Sequence, residues 1–132
     1  MAQLLLVDDE PDIRLIGEIA LGEVGGHEVR CAASGGHALE LARASRPDLI
    51  LLDVMMPGLD GPATLLQLRA DPAIASVPVV FLTARLDPTT AAMLVRLGAV
   101  ACIAKPFDPF ELVGRVNDVL RSLAPAPATP NS

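Results

Sequence analysis

A repeat of short apolar runs along the chain constrains its fold more than any other feature. Four runs are nearly continuous, QLLLV (3–7), DLILLD (48–53), VPVVFLT (77–83) and AVACIA (99–104), and HEVRCA (27–32) is a fifth, more polar run. Such unbroken runs are typical of parallel strands that are buried on both faces. Because segments with helical signals separate them, we predict an α/β fold, a five-stranded parallel sheet with helices on both faces.

Helix signals follow each predicted strand. Apolar spacing after Pro11 places Ile13, Ile16 and Ala20 on one face of the first helix. The last helix carries an apolar stripe, Leu112, Val116, Val119 and Leu123. The other helix starts are indicated by Ser34 (for a helix through Ala44), Pro62, the pair Asp87 and Pro88, and the pair Asp108 and Pro109.

Length and charge exclude several classes of protein. The 132 residues suit one domain, which we place at 1–123, and the Ala/Pro-rich segment 124–132 is expected to be a disordered tail or the start of a linker. No apolar run approaches the roughly 20 residues that span a bilayer, and the acidic N-terminus does not resemble a secretory signal. We therefore expect a cytoplasmic protein. A net charge of −6 with scattered arginines argues against direct nucleic-acid binding.

Polar residues stand where the predicted strands end. Asp8 and Asp9 follow the first strand, Asp53 ends the third, Thr83 ends the fourth, and Lys105, the only lysine, follows the fifth. A single strand-end aspartate is usually a helix cap or a turn residue. Carboxyl ends of parallel strands meet at one edge, however, and three carboxylates gathered there would repel and raise one another's pKa unless a cation neutralises them. Oxygen ligands without a His or Cys pattern favour Mg²⁺.

A metal ion and an ammonium group on either side of one carboxylate favour phosphoryl chemistry. Together they would neutralise a phosphoryl group delivered to Asp53, the candidate nucleophile. The Thr83 hydroxyl could donate a hydrogen bond to that group, and Lys105 would pair with it.

Four motifs at these strand ends carry a family resemblance: VDDE, LLDVMMPGLDG, LTAR and AKPF, in this order. Over about residues 3–122 the chain resembles the receiver domain of two-component response regulators. The resemblance implies a doubly wound, flavodoxin-like sheet with strand order 2-1-3-4-5. It also implies that the first and fifth helices share one face.

The resemblance further implies a role for each residue of the site. Asp53 is the phosphoacceptor of this phosphoprotein, and Mg²⁺ is the cofactor. The implied metal ligands are Asp9 directly, Asp8 largely through metal-bound water, Asp53, and the backbone carbonyl of Met55. Thr83 and Lys105 would contact the phosphoryl group, and the peptide bond before Pro106 is expected to be cis.

The function implied is that of a phosphorelay signalling domain. A sensor histidine kinase or a histidine phosphotransfer protein would donate the phosphoryl group, and the domain would catalyse only its own phosphorylation and dephosphorylation. Phosphorylation would switch a protein-interaction surface at 88–122, which is also a candidate surface for a homodimer. The output would be a downstream protein target or an output domain, and neither nucleic acid nor membrane is an expected direct partner.

Three positions depart from the family pattern or vary within it. Cys102 replaces the aromatic residue that many receivers carry three residues before the lysine, so the usual aromatic switch is absent. The resemblance also implies that Met55 and Arg85 lie where, in this family, side chains tune the access of water to the acyl phosphate. On opposite edge strands, Cys31 and Cys102 would lie too far apart for a disulfide.

Two alternative functions remain open. The chain could be an inactive receiver-like scaffold for protein interactions, a reading that Cys102 leaves open. A metal-dependent phosphohydrolase with an aspartyl-phosphate intermediate is less favoured, because such enzymes usually carry a second carboxylate where this chain has Met55.

Overall fold

The computed structural model describes residues 2–123, and the predicted tail at 124–132 lies outside the described residues. The strands are β1 (Gln3–Val7), β2 (Glu28–Ala32), β3 (Leu49–Asp53), β4 (Val79–Thr83) and β5 (Ala101–Ala104). The helices are α1 (Pro11–Glu18), α2 (Gly35–Ala44), α3 (Gly61–Ala70), α4 (Pro88–Arg96) and α5 (Pro109–Leu123), and a π-helical segment (Ile19–Val24) continues α1.

The five strands form one parallel sheet in the order β2-β1-β3-β4-β5, which confirms the predicted fold. Val7 pairs with Leu52, so the next residues of β1 and β3 reach the carboxyl edge at the same level. Thr83 pairs with Ala104, which brings the end of β4 beside the end of β5. The register therefore gathers all five strand ends at one edge.

Alternate strand residues build two separate cores. One face of the sheet packs against α2, α3 and α4, with Phe81 fully buried at its centre. The other face packs against the π-helical segment and α5, through residues such as Leu21, Leu112 and Val116. Placement of the first and fifth helices on the same face agrees with the expectation from the sequence.

Side-chain caps begin four of the helices, and three of these caps were predicted. Ser34 Oγ accepts a hydrogen bond from the His37 amide, and Asp87 Oδ1 accepts one from the Thr90 amide. Asp108 Oδ2 likewise accepts from the Glu111 amide. The remaining cap, Asp60, starts α3 at Gly61, one residue before the predicted proline. Each cap satisfies a backbone donor that the first turn leaves free.

The apolar face predicted for the first helix is buried only in part. Ile16 is 40% exposed, whereas Gly17, Ala20 and Leu21 are buried. A Cβ at position 17 would lie 2.4 Å from Leu6 Cδ2, so the glycine allows the helix to approach the sheet closely. The π-helical segment then changes the residue spacing per turn, which a constant helical period does not anticipate.

The apolar stripe of α5 is buried only in its first half. Leu112 and Val116 are fully buried, Val119 is half-buried, and Leu123 is 42% exposed. The 15 residues of α5 span about 22 Å, whereas a five-residue strand spans about 17 Å. The last turn therefore extends beyond the sheet that would cover it. Among residues 2–123, no helix has the length and apolar character needed to cross a membrane.

Candidate functional site

The structure brings the five predicted polar residues together at the carboxyl edge of the sheet. Asp8, Asp53 and Thr83 are buried, with 0%, 2% and 5% of their surface exposed, and Asp9 is half-buried. Lys105 follows β5, and its backbone amide donates to the Thr83 carbonyl at 2.8 Å. Within the described chain, every buried side-chain polar atom has a hydrogen-bond partner.

The Lys105 ammonium group bridges two buried carboxylates. Its Nζ lies 3.0 Å from Asp8 Oδ2 and 3.0 Å from Asp53 Oδ1, and 3.8 Å from Oε1 of the exposed Glu10. Burial alone would lower the pKa of Lys105, but the hydrogen bonds to Asp8 and Asp53 and their charges outweigh it and raise that pKa. The lysine therefore carries a full positive charge at neutral pH.

Asp53 is held in an unfavourable environment for its charge. Burial raises the pKa of its carboxyl from 3.8 to about 6, and the nearby charge of Asp8 adds to this effect, whereas Lys105 opposes it. A carboxylate that is buried beside a second carboxylate prefers a proton unless more positive charge arrives. A cation in addition to Lys105 would therefore stabilise the charged form of Asp53.

Three carboxylates lie close enough together to hold a metal ion. Asp8, Asp9 and Asp53 each offer one oxygen, and these oxygens all lie within 4.8 Å of one another. An all-oxygen donor set suits a hard divalent ion such as Mg²⁺. Asp8 Oδ1 also accepts the Glu10 amide at 2.9 Å, which fixes its carboxylate. The Met55 side chain is 78% exposed, and the role of its carbonyl stays a prediction.

The Thr83 hydroxyl is engaged with the loop that follows β4. Its Oγ1 donates to the Arg85 carbonyl at 3.0 Å and accepts the Arg85 amide at 3.1 Å. The Arg85 side chain is exposed and forms an ion pair with Asp87, the cap of α4. The hydroxyl is therefore tied to the backbone of the β4–α4 loop.

The two cysteines occupy opposite edge strands. Cys102 on β5 is buried in the core that faces α2, α3 and α4, and burial raises the pKa of its thiol. Its carbonyl accepts a hydrogen bond from Arg115 Nη2 at 3.0 Å. Cys31 on β2 is half-buried, and both thiols are free. The peptide bond between Lys105 and Pro106 is cis, the isomer that the family resemblance implies.

Sequence reasoning missed two residues that support the site. A Cβ at Gly61 would lie 2.4 Å from the Asp53 carbonyl oxygen and 2.9 Å from Val54 Cα, so only glycine fits beside this backbone. Arg14 Nη1 donates to the Asp8 carbonyl at 2.8 Å and holds the end of β1 from α1. The glycine directly after a helix cap was a usable signal for Gly61, whereas the contact of Arg14 depends on tertiary packing.

Comparisons with known proteins agree with this geometry. Residues 4–117 match the sequence model of the family described as "Response regulator receiver domain". Protein PilH of Pseudomonas aeruginosa is 37% identical over 120 residues, which cover 91% of this chain and 98% of PilH. The structure of the Vibrio cholerae chemotaxis protein CheY4 superimposes with a TM-score of 0.84 at 33% identity, covering 90% of this chain and 98% of that one.

Other relatives are longer than this chain. The probable transcriptional regulator ycf27 of Porphyridium aerugineum is 39% identical over 129 residues, which cover 98% of this chain but 52% of the relative. The chain thus spans about half the length of several curated relatives that it matches.

Proposed function

The chain belongs to the response regulator receiver domain family of two-component systems, and on that premise we propose that Asp53 accepts a phosphoryl group from a phosphohistidine of a partner protein. The supporting observation is the position of Lys105, whose Nζ lies 3.0 Å from both Asp53 and Asp8. A fixed positive charge beside a buried carboxylate stabilises the charge that develops during phosphoryl transfer.

In the proposed step, a carboxylate oxygen of Asp53 attacks the phosphorus atom. The phosphorus–nitrogen bond of the donor breaks, and the imidazole leaves with the electron pair and takes up a proton. Asp53 reacts as the carboxylate, and bound Mg²⁺ would favour that form, because burial raises the pKa of Asp53 to about 6 in the metal-free site. Lys105 holds its proton throughout and pairs with the phosphoryl oxygens.

The acidic residues fit the magnesium ion that this family binds. Asp9, Asp53 and the carbonyl of Met55 would hold the ion, and Asp8 would act through metal-bound water. When bound, Mg²⁺ would neutralise part of the negative charge of the phosphoryl group. The close approach of the three carboxylates supports this assignment, because their mutual repulsion falls when a divalent cation is bound.

The proposed partners follow from the same chemistry. A sensor histidine kinase or a histidine phosphotransfer protein would supply the phosphohistidine. The phosphorylated domain would then alter the surface of α4, β5 and α5, and a downstream protein or an output domain would read that change. Phosphorylation replaces the single charge of the Asp53 carboxylate with nearly two negative charges that extend further from β3, and this change would shift a two-state surface.

Intact mass spectrometry tests the phosphoacceptor. The protein is incubated with acetyl phosphate and Mg²⁺, and in parallel with the phosphorylated histidine domain of a sensor kinase. We expect a gain of one phosphoryl group, which disappears in Asp53→Asn and when Mg²⁺ is removed by a chelator. Asp118→Asn is the matched control, because Asp118 is exposed on α5 and, within residues 2–123, forms an ion pair with Arg121 alone.

Two outcomes would contradict the proposal. Phosphoryl uptake that persists in Asp53→Asn would assign the acceptor to another residue. If neither donor phosphorylates the protein although Mg²⁺ binds, the domain is an interaction scaffold and not a phosphoacceptor.

A further inference from the structure

A cavity of about 710 Å³ lies at the amino edge of the sheet, opposite the edge that carries Asp53. It is lined by the residues that directly precede β1, β3, β4 and β5, by the loop after α3 and by the last turn of α5. A strand of five residues spans about 17 Å, so the cavity and Asp53 are about one strand length apart. Small-molecule sites measure roughly 300–1,000 Å³, and the cavity falls within that range.

One wall of the cavity is apolar. It is formed by Leu120 and Leu123 of α5, Val100 before β5 and Pro78 before β4. Val100 and Leu123 are 44% and 42% exposed, although both side chains are large and apolar. The last turn of α5 extends beyond the sheet at this edge, which leaves these side chains uncovered. An apolar group placed against this wall would remove their surface from water, and such burial is favourable.

Arg69 brings a positive charge to the same cavity. Its Nη1 donates to the Ala75 carbonyl at 3.1 Å and to the Val77 carbonyl at 2.8 Å, and its Nη2 lies 3.5 Å from the Gly98 carbonyl. None of the ion pairs among residues 2–123 includes Arg69. Burial lowers the pKa of its guanidinium, which nevertheless stays charged at neutral pH. Backbone carbonyls therefore compensate this charge only in part.

Two further polar side chains line the cavity, and both already have hydrogen-bond partners. Asp48 Oδ2 accepts the Gln3 amide at 2.7 Å. Ser76 Oγ accepts a hydrogen bond from Arg46 Nη2 at 2.6 Å. Arg46 thus adds a second positive charge behind Ser76, against the one negative charge of Asp48. The balance of charge around the cavity favours an anion beside Arg69.

We propose that this cavity binds a small organic anion, a carboxylate with an aliphatic body, whose carboxylate contacts Arg69 and whose body packs against Leu120 and Leu123. The planar guanidinium of arginine matches the geometry of a carboxylate. In the described chain, its Nε donates to no acceptor, so this N–H is available to a ligand. The site does not involve Asp53, and its test needs no phosphoryl donor, so either proposal can fail without the other.

Octanoate is the probe, and octanol, which has the same chain without the charge, is the matched control ligand. Each is titrated into the full chain, and the amide chemical shifts are followed by NMR. We expect saturable changes with octanoate, centred on Ser76 and Val100, which line the cavity. A hydrogen bond to a charged group stabilises by about 1.5–3 kcal/mol, so octanol should bind about tenfold more weakly or worse.

Two substitutions at exposed positions place a negative charge in the cavity and leave Arg69, which also ties the loop after α3, unaltered. Val100→Asp and Leu123→Glu should each weaken octanoate binding by about tenfold, because the new carboxylate repels the anion and competes for the guanidinium. Val95→Asp is the matched control. Val95 is 54% exposed on α4 and does not line the cavity, so octanoate should bind this variant as it binds the unaltered protein.

Several results would overturn the proposal. Equal affinity for octanoate and octanol would show that the cavity is only an apolar patch. Octanoate binding that survives both Val100→Asp and Leu123→Glu, or that falls equally in Val95→Asp, would place the anion elsewhere on the protein. Shift changes that do not saturate, or that centre on Lys105, the cation at the opposite edge of the sheet, would exclude the cavity as the site.

Discussion

Replacement of Asp53 by asparagine should stabilise the metal-free protein at neutral pH. The side chain is 2% exposed and shares Lys105 with the buried Asp8. Its charge is therefore poorly solvated and only partly compensated. Asparagine keeps the shape of the side chain and removes the charge. A gain in stability on removal of a charged residue is unusual and would indicate that the site is maintained for function at the cost of stability.

The size and sign of this effect follow from the pKa of Asp53. Because the pKa rises from 3.8 to about 6 on folding, the folded state prefers the protonated carboxyl. The charged carboxylate therefore lowers the free energy of unfolding. This loss is absent below pH 3.8, grows as the pH rises from 3.8 to 6, and is complete above pH 6. At about 1.4 kcal/mol per pKa unit, the cost is about 3 kcal/mol. This is an upper limit, because Lys105 loses one carboxylate partner in the variant.

Urea unfolding in chelator at several pH values measures the effect. The chain has no Trp and no Tyr, so far-UV circular dichroism of the five helices is the suitable signal. The free energy of unfolding of Asp53→Asn should exceed that of the unaltered protein by up to about 3 kcal/mol at pH 8, and the gap should close as the pH falls towards 4. Mg²⁺ should also narrow the gap, because it binds the charged carboxylate more tightly.

The control and the refuting results are clear-cut. Asp118→Asn should change stability by no more than about 0.5 kcal/mol at any pH, since both side chains of its ion pair are exposed. The reasoning fails if Asp53→Asn is no more stable than the unaltered protein at pH 8. It fails equally if the gap stays constant between pH 8 and pH 4.

Three further predictions concern other residues described above. Gly61→Ala should destabilise the protein by about 2 kcal/mol, because its Cβ would lie 2.4 Å from a backbone oxygen of β3. Gly114→Ala has open space around its Cβ and should stabilise the protein by about 0.5–1 kcal/mol through α5. Urea unfolding that ranks the two variants otherwise contradicts the packing argument. Lys105→Gln leaves two buried carboxylates without their cation and should lower the free energy of unfolding by about 3 kcal/mol in chelator. Mg²⁺ should restore part of this loss. If the free energy of unfolding is unchanged, the ion pairs of Lys105 do not stabilise the fold. Cys31 should react slowly with iodoacetamide at pH 8, because burial, and to a lesser extent Glu18, raise the pKa of its thiol to about 11. Glu18→Gln should therefore speed the reaction several-fold. If Cys31 reacts as fast as the cysteine of an unstructured peptide, its thiol is not shielded in this way.

The sequence was sufficient to predict the sheet and the residues at its carboxyl edge. Each predicted apolar run ends at the same residue as the observed strand; the first run also begins with its strand, and the other four begin one or two residues early. In the sequence, a strand ends where an apolar run gives way to polar or charged residues. Asp53 and Thr83 lie at such ends, so their positions could be predicted. Strand starts are less defined, since residues such as Val77 are buried in the preceding turn and not in the sheet.

Features that depend on packing between elements could not be predicted. Ile16 follows the helical period of the buried face, but the π-helical segment shifts that face towards Leu21. The fit of Gly61 against β3 depends on the path of a loop. The sequence suggested that Lys105 would serve the phosphoryl group, but not that its Nζ would hold Asp8 and Asp53 equally, because this depends on how far a flexible side chain reaches.

The single lysine also makes the site chemically addressable. Apart from the terminal amine, Lys105 is the one primary amine in the sequence, and its side chain is only 9% exposed. Its raised pKa keeps it protonated, so amine-directed reagents should acylate it slowly while both carboxylates hold it. Any change that draws those carboxylates away would expose the same amine. Its acylation rate would then report on the state of the pocket without an added label.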